Sequence, residues 1–321
     1  MKPVLLQTLP AFQVVRDAAF MGEDALLLTD PLANLWLFTL ESGQVRQLHR
    51  GEDIMALFRG GVPAGGGYPR LAVSPRGDTI VVNTDDFVLA GWEATGDSWS
   101  FMSAYRGLYY PALEFSPNGE YFAAWSEVVI VFDVRGLQHR VTGSVSECAW
   151  HPSRPLLLCV DFDNALGWLD LETQKTDDST EVSPQRIGSL VEPGGTAEAV
   201  CGLSFLNDDT FVVAFEWGYV EFWQLKPLRR LDRVQTDGRI LKLKSVPGGC
   251  WFTLEGEAGV QVWDAATRAP VSKPLPGKTD VRFSPSGSRF ITLGPMNTNP
   301  YPMPGGGGGT TVTLWAVQEQ P

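Results

Sequence analysis

An all-β fold of seven four-stranded antiparallel blades, a β-propeller, is what this 321-residue sequence predicts, and three observations predict it. An apolar residue followed by Ser-Pro-x-Gly, or a worn form of it, recurs as LAVSPRGD at 71-78, LEFSPNGE at 113-120, CAWHPSRP at 148-155 and VRFSPSGS at 281-288. An aromatic or apolar residue paired with an acid follows in IVFDV at 130-134, GWLDL at 167-171 and VQVWDA at 260-265. Across the chain, Phe20, Val73, Phe115, Trp150, Phe205, Ser245 and Phe283 precede Phe38, Trp92, Phe132, Leu169, Trp223, Trp263 and Trp315 by 18, 19, 17, 19, 18, 18 and 32 residues. A unit of roughly forty residues in register marks a solenoid or propeller.

Each unit divides into short strands. In the third, PALEF leads through SPNG into EYFAAW, a turn at Ser126-Glu127 leads to VVIVFDV, and a polar turn leads to LQHRVT. Period-two alternation, β-branched and aromatic enrichment and Gly/Pro/Asn/Asp punctuation describe a four-stranded meander. Pro and Gly fix the backbone of the first turn where a continuing strand would be wrong. The last unit is different, because after TTVTLWAV too few residues remain for a fourth strand. PVLLQTLP at 3-10 has no place in the first unit and is assigned as the outer strand of the seventh blade. The N- and C-terminal strands would then share one sheet and leave no open edge. Residues 1-321 are read as a single domain without substantial helix.

With its turn phrase and with Trp263-Asp264, Phe132-Asp133 and Leu169-Asp170, the chain resembles the WD-repeat family of β-propellers over residues 2-318. The resemblance implies binding of a protein or peptide partner. Departures are clear: Phe38-Thr39, Trp92-Glu93, Trp223-Gln224 and Trp315-Ala316 occupy the position of the family's dipeptide, and its Gly-His pair is absent. With three histidines in the chain, the family's buried Asp-His-Ser/Thr-Trp network cannot be general here. Cohesion between blades is therefore expected to rest on apolar packing.

A net charge of −12 argues against nucleic acid as partner, since phosphate contacts need a basic field. No apolar stretch suits a signal peptide or a membrane span, so a cytoplasmic monomer is expected. The four cysteines lack metal-site spacing, and Cys148 and Cys159 are placed to face one another as buried thiols. His49, His139 and His151 fall in three different units, and neither a nucleophile elbow nor a phosphate loop occurs. Asp161-Phe162-Asp163-Asn164 has too few ligands for calcium and reads as a turn. No metal, cofactor or catalytic residue is expected. The alternative reading is a metal-dependent lactonase-like or hydrolase-like propeller enzyme with its site in the central channel. It would need acids, His or Asn at the starts of the first strands, which offer few.

Irregularities of the repeat carry the remaining signal. Overlong segments occur at 56-70, within 174-200 and at 294-309; the first and last are expected on the face that carries the turns between second and third strands. The middle one lies opposite if the fourth strand of blade four is RIGSLV. Tyr68, Tyr109, Tyr110, Trp217 and Tyr301 fall in connections on the expanded face and are the expected partner-binding residues. Between 226 and 244, seven basic residues oppose Asp232 and Asp237. This segment reads as a solvated strand face or, through Arg229, Arg230 and Arg233, as a dock for an acidic partner whose charge reversal would spare stability.

Overall fold

The computed structural model describes residues 2–9, 15–30, 32–50, 70–84, 88–95, 98–106, 112–126, 128–134, 138–141, 145–173, 181–182, 184–191, 197–245, 249–294 and 311–318. These residues form seven sheets and no helix, the fold class of a seven-bladed β-propeller. Two compact units divide the chain, one of Pro3–Leu113 with Lys278–Pro321 and the other of Glu114–Gly277.

The first unit holds three sheets. Blade one runs Asp17–Met21, Ala25–Thr29, Leu35–Thr39 and Val45–His49, and blade two runs Arg70–Val73, Thr79–Thr84, Val88–Thr95 and Ser98–Arg106. Blade seven combines Thr279–Phe283, Arg289–Leu293 and Val312–Gln318 with Lys2–Thr8 beside the last of these, so the terminal strands share a sheet as the sequence predicts.

In the second unit, which begins at Glu114 within its first strand, blade three has Ala112–Phe115, Tyr121–Trp125, Val129–Asp133 and Gln138–Val141. Blade four has Glu147–Trp150, Leu156–Val160, Ala165–Asp170 and Gln185–Ser189; blade five has Val200–Phe205, Thr210–Phe215, Tyr219–Gln224 and Arg229–Gln235. Blade six ends the unit with Ile240–Ser245, Trp251–Gly256, Gly259–Asp264 and the short Ala269–Pro270. Because Gln185–Ser189 is the fourth strand of blade four, the overlong stretch before it lies between third and fourth strands, away from the turns that join second to third. Glu181–Val182 within that stretch adds a fifth, parallel strand to blade three, which the repeat pattern does not anticipate.

Register explains the repeat. Phe20 pairs with Leu26 and Leu26 with Phe38; the same transverse row recurs as Val73, Ile80 and Trp92, as Trp150, Leu157 and Leu169, and as Phe205, Phe211 and Trp223. Ser245, Phe252 and Trp263, then Phe283, Phe290 and Trp315, continue it. In blade three the Phe122 ring stacks on Phe132 at 4.6 Å and lies 5.6 Å from Phe115. Each pair of sequence anchors thus flanks one second-strand residue, and all of these except half-buried Phe122 are fully buried. Burying such a side chain is worth about 1.5–3 kcal/mol.

The Ser-Pro-x-Gly turn sets that row. Ser74, Ser116 and Ser284 are buried, and the carbonyl of each accepts the N–H of Gly77, Gly119 and Gly287 at 2.8 Å. Those glycines take φ of 73°, 72° and 70°, the left-handed position in the four-residue loop that joins paired Ser74 and Thr79, Ser116 and Tyr121, and Ser284 and Arg289. Ser74 Oγ accepts from the Thr79 amide at 3.0 Å and Ser116 Oγ from the Tyr121 amide at 3.0 Å, so the hydroxyl satisfies the first donor of the returning strand.

Between sheets the packing is mainly apolar, as the sparse histidines imply. Leu156, Leu158 and Leu166 of blade four pack with Phe211, Val213 and Phe215 of blade five, and Val212 and Phe222 of blade five with Phe252 and Leu254 of blade six. A few polar bonds cross. The Trp150 indole donates to the Glu114 carbonyl at 3.1 Å, the His151 Nε2–H to the Asp208 carbonyl at 3.0 Å, and buried Asp17 accepts from the Leu71 amide at 3.1 Å and Arg282 at 3.1 Å. Burial holds His151 below the usual imidazole range, and its Nδ1 accepts from the Ser153 amide at 3.3 Å. It is a neutral, fixed ring.

Stability rests unevenly on the N-terminal strand. Leu5 and Leu6 are exposed, whereas Leu9 just beyond it is buried and its amide donates to the Val312 carbonyl at 2.9 Å. Leu9→Ala should cost about 2–3 kcal/mol in denaturant melts, whereas Leu5→Ser and Leu6→Ser should stay within about 0.5 kcal/mol. Gly77→Ala, with ordinary contacts around an added Cβ, should cost only its backbone strain of about 1–2 kcal/mol.

Candidate functional site

Two neighbouring turns of the second unit present large aromatic rings to solvent. Phe162, in the turn between second and third strands of blade four, is 58% exposed, and Trp217, in the corresponding turn of blade five, is 73% exposed. Among the described residues neither ring stacks on another.

Local chemistry builds the first turn. The Asp161 carboxylate accepts the amides of Asp163 at 2.9 Å and Ala165 at 2.7 Å, and Asn164 takes φ of 59°. Such an Asp bonded to backbone two residues on is a turn former. Blade one repeats the device: Asp30 accepts from the amides of Leu32 at 2.9 Å and Asn34 at 3.0 Å, with Ala33 at φ 58°. One Asp161 oxygen, Oδ1, thus accepts both backbone amides, in line with the turn reading.

Glu216-Trp217-Gly218 is held on both sides. The Gly218 carbonyl accepts from the Thr236 amide at 2.7 Å, the Thr236 hydroxyl at 2.6 Å and Gln235 Nε2 at 2.8 Å. Glu216 bonds Ala199 and Ile240 through its backbone and Arg239 through its carboxylate. Gly218 has φ 90°, and a Cβ there would run into the Gly238 carbonyl, so only glycine fits.

Glu198 ties the two turns together. Its carbonyl accepts from Asn164 Nδ2 at 2.8 Å, and its carboxylate accepts from the Tyr219 hydroxyl at 2.6 Å. Tyr219 stacks on Phe215 at 4.6 Å, and the Arg233 guanidinium lies over the Tyr219 ring 3.8 Å from its centre. Burial and the bond to Glu198 both push the Tyr219 phenol well above its usual range. The rings therefore project from a braced platform whose carboxylates include Asp163, Glu198 and Glu216, with Glu257 within electrostatic reach of Arg239.

Of the sequence-predicted residues, Trp217 stands where the repeat register puts it. Tyr68, Tyr109, Tyr110 and Tyr301 lie outside the described residues. Phe162 was not among the predicted residues; its signal is positional, a large ring in the turn that matches Trp217 one blade earlier.

Arg229, Arg230 and Arg233 sit on the fourth strand of blade five. Arg230 Nη1 lies 2.9 Å and Arg233 Nε 3.2 Å from Oε1 of Glu221, whose side chain is 2% exposed, while the Trp223 indole donates to Oε2 at 2.9 Å. Arg229 instead bonds Gln224 at 2.7 Å. Elsewhere in the basic segment, Lys244 meets Glu114 at 3.4 Å and Lys226 lies over the Trp168 ring at 4.7 Å. The expectation that charge reversal would spare stability is corrected: removing the cations would strand a buried carboxylate.

First strands of blades three, four and six bring Glu114, Glu147, Lys242 and Lys244 into mutual electrostatic reach. Withdrawal from water, the largest cause, raises half-buried Glu147 to about 7, against the opposing pull of Lys244 and a hydrogen bond from Trp125. Cys148 and Cys159 face each other across the sheet with sulfurs 3.4 Å apart, both buried and free, and burial pushes the Cys148 thiol up. Among the described residues no three His, Cys, Asp or Glu side chains are grouped to hold a metal, and no helix is long and apolar enough to cross a membrane. A scan against protein-family models and a search of curated proteins find no match to this chain.

Two outcomes follow. Arg230→Glu with Arg233→Glu should destabilise by roughly 3 kcal/mol, against about 0.5 kcal/mol or less for Arg229→Glu, in equilibrium unfolding. Glu147 holds its proton more tightly folded than unfolded, so its contribution is complete below about pH 4.5 and is lost as pH rises through about 7. Glu147→Gln should flatten unfolding stability between pH 5 and 8 and exceed wild type at pH 8 by up to about 3 kcal/mol.

Proposed function

We propose that this chain is a non-enzymatic interaction scaffold of the WD-repeat kind, binding a protein or peptide through the turns that join second and third strands. The observation that carries the reading is the exposure of Phe162 and Trp217 on adjacent, braced turns. Sheets need aromatic rings inside, so two rings left in water on rigid supports are costly unless something covers them, and interface hot spots favour large aromatics. Preorganisation adds to this: Glu198 and Gly218 fix both turns before any partner arrives, which spares the entropy of ordering them.

The remaining expected residues, Tyr68, Tyr109, Tyr110 and Tyr301, belong to connections of the same kind by repeat register and lie outside the described residues. Arg230 and Arg233 are read as internal charge for Glu221, with Arg229 bonded to Gln224, rather than as a dock. No catalytic role is assigned, because the ionisable groups on the first strands pair with one another, as Lys244 does with Glu114 and Arg70 with Asp280 at 3.5 Å. A cytoplasmic site of action accompanies this reading.

Partners captured from a cell extract and then purified should bind Phe162→Ala/Trp217→Ala at least tenfold more weakly than wild type, about 1.4 kcal/mol or more. Melting temperature should be unchanged. Arg154→Ala, in a turn at the opposite end of blade four, should bind normally. The reverse pattern would place the surface at the opposite turns.

A further inference from the structure

Resting on that reading of the surface, we infer that the segment docking there is cationic, a Lys/Arg-rich stretch of the partner whose side chains lie over Phe162 and Trp217. The argument starts from how this chain treats its other aromatic residues beside carboxylates. The Tyr219 ring has the Arg233 guanidinium 3.8 Å from its centre, and Arg233 also reaches Glu198 at 4.0 Å. Phe222 has Arg268 at 5.2 Å, and Arg268 pairs with Asp232 at 2.9 Å. In both cases an aromatic face and a carboxylate share one guanidinium, since a ring's negative face and an anion attract the same cation.

Phe162 with Asp163 presents the first two members of such a triad without the third, and Trp217 presents an exposed ring over which no cation lies, its neighbour Glu216 being engaged by Arg239. Phe162 is followed by exposed Asp163, and Trp217 is preceded by Glu216. Asp237 and Glu257, on nearby connections of blades five and six, are exposed as well. Against them stand Arg239, engaged with Glu216, and Arg233, whose closest carboxylate is buried Glu221 at 3.2 Å. Among the described residues, Asp163 and Asp237 make no ion pair, and no cation lies over either exposed ring. A cation supplied from outside would complete the Phe162 triad and cover the open Trp217 ring.

Charge at longer range points the same way. The chain carries −12, so a basic segment is drawn toward it while an acidic one is repelled. A purely apolar partner would cover the rings yet leave the carboxylates beside them partly desolvated and unpaired, which costs free energy. Complementary charge acts chiefly on encounter and specificity, so the cationic preference should show most clearly at low salt.

The test uses the full chain and an array of short synthetic peptides of equal apolar content, graded from strongly acidic to strongly basic. Wild type should bind the basic peptides best, with binding that weakens as salt rises. Phe162→Ala/Trp217→Ala should reduce that binding roughly tenfold or more, and Asp163→Asn/Asp237→Asn/Glu257→Gln should reduce it several-fold with a shallower salt dependence. Circular dichroism and melting of each variant confirm that the fold is retained. Ring-dependent binding without preference for positive charge overturns the cationic partner and leaves the interaction surface standing. Basic peptides that bind the ring variants as well as wild type overturn both, because the attraction is then diffuse. Failure of every basic peptide to bind overturns the proposal.

Discussion

The transverse row of side chains across each sheet is the constraint on which the rest depends. A first-strand anchor, a buried second-strand residue and a third-strand aromatic or leucine line up directly opposite one another, as in Phe205, Phe211 and Trp223. A slip of one residue would send every member of the row to the other side of the sheet. The Ser-Pro-x-Gly turn prevents the slip by fixing the length of the first hairpin, and the anchors therefore stay 17–19 residues apart in six units. Blade seven shows that the row, not the spacing, is what matters: its anchors are 32 residues apart, yet Thr292 still pairs with Thr313 and Phe290 with Trp315.

Once the rows hold the sheets, polar groups can be used locally instead of through one repeated network. Three of the third-strand tryptophans find different indole acceptors: Glu221 for Trp223, Gln261 for Trp263 and Thr292 for Trp315, at 2.9, 3.1 and 2.9 Å. Two of these acceptors lie two positions earlier on the same strand, hence on the same side of it. Sheet stability thus depends little on histidine, and the turns between second and third strands are left free to vary in sequence. Aromatic residues and carboxylates accumulate there without disturbing the register beneath.

Much of this architecture is legible in the sequence because it is periodic. Anchor spacing gives the strands, and the unplaced apolar stretch at 3-10 gives the shared terminal sheet. Trp217 is legible for the same reason, as a large ring at a turn position. Phe162 is harder, since phenylalanine ordinarily belongs to the core and its turn is dominated by the acids around it. The role of the arginines is hidden by a bulge. Arg230 and Arg233 are three apart and would face opposite sides of a regular strand, but the register shift between Phe222 and Trp223 skips Leu231 and turns both to Glu221. No periodic reading anticipates that, and a basic run without its buried partner looks like surface.

Placed side by side, the internal and the open aromatic-acid sites explain how one chain separates structural from available charge. Within blade five, Arg230 and Arg233 neutralise a carboxylate that water cannot reach, so their positive charge is spent on the fold. Glu198 stands at the boundary: its carboxylate serves Tyr219 and Arg233 inside, while its carbonyl steadies Asn164 beneath the Phe162 turn. Beyond it, Asp163 and Asp237 face solvent. A carboxylate fixed on a rigid turn next to an exposed ring has lost little by staying hydrated and has much to gain from a guanidinium or ammonium that can lie on the ring. The same pairing that stabilises the sheet from within becomes, one turn further out, a means of recognition.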